Sequence, residues 1–320
     1  MATANPEIAL IRPVESSSFA AKLHELVVTV DHKKLGLMYI ASALFFLVVA
    51  GLMATVIRLQ LAVPNNNVVA PDTFNRLFTV HGTAMVFFVG MPIVAGLGNY
   101  LVPLMIGARD MAFPRLNAFG YWMFLFGALL LFFSYIGAPG LSGHGSAPDV
   151  GWFAYAPLTG RAFSRGHSTD YWTLSLVVSG IGSLVSAANV VATTFSMRCP
   201  GMTLMRMPLF VWLLLVASAM ILVALPPLTA AQIMLLLDRY LGANFFNTQA
   251  GGSAVLWQHF KSQSGRALRT TGTVSKLYSG GGEVVAHSSV HPEVYILMIP
   301  VHRAQPVEDF YPGRDRHEHR

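Results

Sequence analysis

Charge is what this chain has least of. Of its 320 residues, 11% are Asp, Glu, Lys or Arg, against about 25% in an ordinary soluble domain. Fourteen of the 36 charged side chains fall in residues 261–320, which leaves 22 for the first 260. So few charges do not solvate a globule of this size, which argues against a soluble enzyme. A disordered chain, with its low hydrophobicity and high charge, is equally disfavoured. The net charge is +6, but the basic residues flank apolar runs instead of forming a stripe, so no nucleic-acid partner is expected. Cysteine is nearly absent: Cys199 stands alone, which excludes an internal disulfide and a cysteine-based metal cluster. What remains is apolar sequence, 54% of the chain, and it is the sequence of a membrane protein.

Five charge-free apolar runs occupy residues 35–57, 77–108, 116–148, 171–197 and 207–237. Each exceeds the roughly 20 residues that cross about 30 Å of hydrocarbon. The third is expected to leave the helix where Gly, Pro and Ser gather, from residue 137 to 148. The first lies behind 34 polar or mixed residues with no cleavage-like pattern, so it is not a signal peptide. A sixth apolar run, residues 294–301, is too short to span. The expected fold is all-α, a polytopic transmembrane helix bundle with five full spans and a short or broken sixth.

Lys and Arg in the loops set the orientation. With the N-terminus cytoplasmic, the inside segments 1–34, 109–115 and 198–206 carry eight: Arg12, Lys22, Lys33, Lys34, Arg109, Arg115, Arg198 and Arg206. The outside segments 58–76 and 139–170 carry four: Arg58, Arg76, Arg161 and Arg165. The bias favours an inside N-terminus, although the basic stretch 239–276 then sits outside, against the rule.

Ionisable and amide groups at membrane depth are costly and mark ligands, relays or pairs. His81, followed by Gly82, is the strongest candidate within the five runs. A neutral imidazole is a common axial ligand of haem iron, and Gly82 removes a side chain where a flat porphyrin would press. The other reading is an interfacial histidine bonded to water or to a neighbouring helix. A second group is Asn99, Asp110 and Asn117, around the short loop between the second and third runs. It is either the mouth of a water-filled proton path or ordinary loop chemistry, with Asp110 paired to Arg109 or Arg115 and the amides capping backbone. The third is His291-Pro292-Glu293-Val294-Tyr295, in which a helix sets His291 and Tyr295 on one face and Pro292 suits the first turn. It reads as a metal-ligating imidazole beside a redox-capable phenol, or as the polar start of a short helix.

Several strings together carry a family resemblance. They run in order through Asp31-His32-Lys33-Lys34-Leu35-Gly36, Arg58-Leu59-Gln60-Leu61, the block from residue 77 to 117, Gly151-Trp152 with Tyr155, Pro200-Gly201-Met202, Pro208-Leu209-Phe210-Val211-Trp212, Leu237-Asp238-Arg239, and residues 291–300. The chain resembles subunit I of the haem–copper respiratory oxidases, over roughly residues 30–259 and 291–300. The resemblance implies dioxygen reduction to water coupled to proton pumping, with a low-spin haem, a high-spin haem and copper as cofactors. It implies His81 as an axial ligand of the low-spin haem, Arg58 at that haem's periphery, and Asp110 as the proton-uptake entrance with Asn99 and Asn117 as water-holding amides. Glu293 would end this path and sort protons. His291 would ligate copper, and Tyr295 would be the phenol linked to it that supplies an electron and a proton. The implied partners are a subunit II with a copper centre, a subunit III, the lipid bilayer and an electron donor. Thr73 and Arg76 lack the His and Gln of quinol-oxidising relatives, which favours cytochrome c. The implied setting is a bacterial cell membrane.

The departures divide the chain. Residues 1–34 read as a cytoplasmic N-terminal segment and 35–259 as the oxidase-like membrane region. Residues 260–290 are an atypical polar insert, 291–300 the start of a sixth-helix motif, and 301–320 an atypical polar tail. Nothing corresponds to the helices that would supply the other copper histidines, the second low-spin haem ligand or the high-spin haem ligand. The ligand set is therefore incomplete, the chain reads as an N-terminal fragment, and by itself it is not expected to reduce oxygen. A non-catalytic rearranged product and the quinol-oxidising branch are the alternative readings.

Overall fold

Each of the five long apolar runs gives rise to a helix long enough to cross a membrane. The computed structural model describes residues 19–136, 148–156, 158–164 and 166–262, all within the first of the chain's two units, Met1–Ser279. The short α1 (Phe19–Val28) precedes the first span, α2 (His32–Gln60). The second span, Pro71–Ile106, is assembled from α3 (Pro71–Ala84), a π-helical stretch (Met85–Gly90) and α4 (Met91–Ile106). Then follow α5 (Pro114–Ile136), α6 (Ser168–Ser196) and α7 (Leu209–Leu241). Among the described residues there is no strand. The chain is a multi-pass, all-helical membrane protein, as its composition required: in lipid only a helix satisfies its own backbone.

Local chemistry explains the boundaries. Asp31 caps α2, accepting hydrogen bonds from the backbone N–H of Lys33 and Lys34. Helix α4 stops at Gly107, whose φ of 74° is left-handed. The Ala108 N–H there turns back to the Pro103 carbonyl at 2.8 Å, as glycine-terminated helices do. The π turn answers Pro92, which has no N–H to give and whose ring crowds the preceding turn; the Met91 N–H reaches the Val86 carbonyl five residues back. That widened turn lies between His81 and Asn99 and resets which faces of the span they occupy.

Small residues let the helices touch. A Cβ on Gly36 would lie 2.9 Å from the Gly96 carbonyl oxygen, so α2 and α4 cross backbone to backbone. Gly120 and Gly182 do the same for α5 and α6, and Gly127 faces Ser175 and Ser179. Close approach through small residues is the usual way membrane helices associate. Between these contacts Phe46, Phe88 and Phe124 form a buried aromatic cluster.

Loops gather at the two ends of the bundle. One end, here the His32 end, joins loop 107–113 to the segment after α6: the Cys199 N–H donates to the Ile106 carbonyl. The opposite end, the Gln60 end, collects residues 148–156, 158–164 and 242–262. There residues 254–262 are helical. Trp257 donates from Nε1 to the Phe153 carbonyl at 3.1 Å. The Lys261 ammonium sits 5.5–5.6 Å from the ring centroids of Trp152, Trp172 and Trp257 and bonds the Trp152 carbonyl. Cation–π attraction seats a charge that the sequence alone assigns to solvent. The sixth-helix motif and the polar tail lie outside the described residues.

Candidate functional site

His81 sits on α3 toward the Gln60 end, half-buried, with Nδ1 2.9 Å from the Ala50 carbonyl oxygen of α2. A carbonyl only accepts, so Nδ1 carries the proton and Nε2 is left with the lone pair. That is the tautomer a metal-ligating imidazole needs, with its second nitrogen fixed by a backbone oxygen. Ala50 is small and buried, which allows the ring to approach the helix backbone. Gly82 differs from the expectation of an open flat gap: a Cβ there would meet the Trp152 indole at 3.3 Å. The loop carrying Trp152 comes this close because the Gly151 N–H donates to Thr79 Oγ1, two residues before His81. Thr83, two residues after it, accepts from the Trp172 indole N–H at 2.9 Å. Arg58 lies on α2 two turns beyond Ala50, in the helix's last turn.

The second group assembles at the His32 end, with different partners from those weighed in the sequence. Asp110 pairs with neither Arg109 nor Arg115 in any ion pair of the described residues. Its Oδ1 lies 3.3 Å from His32 Nδ1 and accepts the Met111 N–H at 2.7 Å. His32 is buried in the first turn of α2. Asn99 on α4 and Asn117 on α5 are fully buried, and neither amide has a hydrogen-bond partner among the described residues. Backbone capping is therefore not their job. The residue that does it is Asn189 on α6, whose side chain accepts from the Phe113 N–H at 3.0 Å and donates to the Phe113 carbonyl at 3.2 Å.

One turn from Asn117 along α5, the position of Gly120 borders Ser186 Oγ and the Tyr39 hydroxyl. Tyr39 and Ser186 bond each other at 3.1 Å. Tyr39 lies seven residues from His32 on the same face of α2, about 10 Å along the axis. Buried polar groups thus lie on α2, α4, α5 and α6 toward this end of the bundle, and the unsatisfied amides suit water, since buried amides without partners cost free energy. Sequence reasoning missed His32, Asn189 and Tyr39. Each belongs to an ordinary-looking helix face, and only its neighbour gives it a role.

Outside the spans, two carboxyls near the start of α2 are displaced. Asp31 is held below the ordinary carboxylate range: burial pushes it up, but the Lys33 and Lys34 N–H groups and the charges of His32 and Lys34 outweigh burial. Glu25 is lowered by its hydrogen bond to, and the charge of, Lys34. Glu293, His291 and Tyr295 lie outside the described residues. Among the described residues no group of three or more His, Cys, Asp or Glu is placed to hold a metal ion.

The arrangement defines a polytopic membrane protein with a half-buried histidine near one end of the bundle and buried polar side chains toward the other. Residues 34–265 match the family described as Cytochrome C and Quinol oxidase polypeptide I, and the chain belongs to that family. It is 42% identical over 286 residues to cytochrome c oxidase subunit 1 of Bacillus subtilis (strain 168), covering 89% of this chain and 40% of that protein. It is 42% identical over 272 residues to a putative cytochrome c oxidase subunit 1-beta of Streptomyces coelicolor, covering 85% and 42%. Quinol oxidase subunit 1 of Bacillus subtilis (strain 168) is 41% identical over 276 residues, covering 86% and 38%. The chain spans about two fifths of the length of the curated relatives it matches.

Proposed function

We propose that these residues form the N-terminal part of subunit I of a terminal oxidase that reduces dioxygen to water with electrons from cytochrome c and pumps protons. Haem iron and copper, when bound, supply the electron storage and dioxygen chemistry that side chains lack. His81 would hold the low-spin haem through Nε2, with Arg58 near that haem's edge. The observation that carries this is the Nδ1 bond to the Ala50 carbonyl, which leaves Nε2 as the ligating atom. Asp110 would take up protons from the cytoplasm, with His32 beside it and water held at Asn99 and Asn117, and Glu293 would receive them. His291 would bind copper and Tyr295 would supply the redox phenol. The remaining ligands would come from parts of the subunit beyond these 320 residues. In this reading the N-terminus is cytoplasmic, the membrane is a bacterial cell membrane, and subunits II and III are the partners. The sequence divisions at residues 34, 259, 290 and 300 are kept as proposed boundaries.

The quinol-oxidising branch is the second reading, favoured by the identity to quinol oxidase subunit 1 and opposed by Thr73 and Arg76. The non-catalytic product is a third, resting on the polar stretches 260–290 and 301–320. The test is spectroscopic. A full-length oxidase carrying this segment should show a low-spin haem band that His81→Ala abolishes, and an unchanged band removes the ligand assignment. Replacing cytochrome c by a quinol as reductant separates the first two readings, and haem content of the purified 320-residue chain tests the third.

A further inference from the structure

The turn of α3 that carries His81 is latched from behind. Thr79 and Thr83, one turn apart on one face and both fully buried, give their own hydroxyl protons to the Asn75 and Thr79 carbonyls. Their oxygens are left to accept, and each accepts from another element. Thr79 takes the Gly151 N–H at 2.9 Å, and Thr83 takes the Trp172 indole N–H at 2.9 Å. His81 lies about 160° around the helix from either threonine, with its ring on the Ala50 carbonyl. Gly82, beside it, is covered by the Trp152 indole.

The two latches meet a third element at one charge. The helix over residues 254–262 is fixed by the fully buried Trp257, which donates to the Phe153 carbonyl and stands edge-on to Phe246 at 5.3 Å. One turn further, the partly buried Lys261 places its ammonium 5.6 Å from the Trp152 ring centroid, 5.5 Å from Trp172 and 5.6 Å from Trp257. It also donates to the Trp152 carbonyl at 3.2 Å. A lysine that snorkels lays its stem on apolar surface and keeps its ammonium in water. Here the ammonium itself lies over three rings from three separate elements, where cation–π attraction holds it. Two of those rings are the ones that bond or cover the His81 turn.

We infer that Lys261 is a positioning residue for His81, holding through Trp152 and Trp172 the turn that keeps Nδ1 on the Ala50 carbonyl and Nε2 free to ligate. The purpose of this arrangement rests on the proposed reading of His81 as a haem ligand. The arrangement itself is measurable without haem.

The test uses the haem-free 320-residue chain, ring-¹⁵N-labelled at histidine, in phosphatidylcholine nanodiscs at alkaline pH, where imidazoles are neutral. The ¹⁵N shifts give the ratio of Nδ1–H to Nε2–H tautomer for each ring, and the His81 and His32 signals are assigned by their loss in His81→Ala and His32→Leu. Lys261→Met keeps an unbranched stem without the charge and should lower the His81 ratio about two- to fivefold, the worth of a part-exposed cation–π contact. Lys261→Arg, whose guanidinium also stacks on aromatic faces, should keep the ratio. Trp172→Phe keeps a ring but deletes the N–H to Thr83, and should lower it. The His32 ratio, at the opposite end of the bundle, should stay constant in all three. An unchanged His81 ratio in Lys261→Met or Trp172→Phe, no rescue by arginine, or an equal change at His32 overturns the inference. The ligand reading stands or falls separately, on the low-spin haem band of a full-length oxidase carrying His81→Ala.

Discussion

The His32 imidazole lies 3.3 Å from the Asp110 carboxylate, joining the first turn of α2 to the loop between α4 and α5. Seventy-eight positions separate the two residues, and the pair anchors the loop over the end of the bundle. Asp110 is about one-third exposed, so solvent screens the attraction. His32→Leu should destabilise the chain by about 0.2–1 kcal/mol. Amide hydrogen exchange at Met111, whose N–H bonds the same carboxylate oxygen, should accelerate. Unaltered exchange would mean that the pair does not hold the loop.

Asn189 and Asn117 should behave oppositely although both are buried amides. Asn189→Ala removes two part-buried bonds to the Phe113 backbone, a loss of about 1–3 kcal/mol at about 0.5–1.5 kcal/mol each. Asn117→Ala removes an amide with no partner among the described residues, so stability should change little, while proton uptake in a full-length oxidase should slow. Denaturant unfolding of the two variants checks the first half and proton-uptake kinetics the second.

Asp31 links stability to pH. Its carboxyl is lower in the folded chain than in the unfolded one, so its stabilisation is complete above the unfolded value, near pH 4. It disappears as pH falls through the lowered folded value. Asp31→Ala should cost about 1 kcal/mol at pH 7 and much less near pH 2. Asp31→Asn should keep most of the cap and lose the pH dependence. Parallel melting curves at the two pH values distinguish these outcomes.

The Asp170–Arg239 pair is buried, and breaking it leaves a charge without compensation. Arg239→Met should destabilise by about 3–5 kcal/mol, whereas replacing both partners with apolar residues should recover a large part of the loss. A double-mutant cycle measured by unfolding in detergent reads this directly. Equal losses for the single and double variants would refute the assignment.

Gly96 is a packing limit. A Cβ there meets Ile40 Cγ1 at 2.8 Å and the Gly36 carbonyl oxygen at 2.9 Å. Gly96→Val should force α2 and α4 apart at a cost of about 1–3 kcal/mol. Gly51→Val, with nothing within 4 Å of its Cβ, should be nearly neutral to packing. Similar melting points for the two variants would contradict the crossing.

The sequence by itself determined the membrane class and the five spans, because length and apolarity are properties of a single segment and in lipid a single segment satisfies its own backbone only as a helix. The expected exit from the third span, from residue 137 to 148, falls almost wholly outside the described residues. His81 stood out in the sequence because an imidazole in an apolar run is rare. What it donates to was not visible, since the Ala50 carbonyl lies 31 residues away and every residue has a carbonyl. Helix α1, short and weakly apolar, left no clear signal, and the π turn before Pro92 could be taken for a simple kink. The roles of Asp110, Asn99, Asn117 and Asn189 were decided only by tertiary structure. An amide that caps a backbone and one that waits for water are the same residue, and only the neighbours that crossing helices bring within about 3 Å tell them apart.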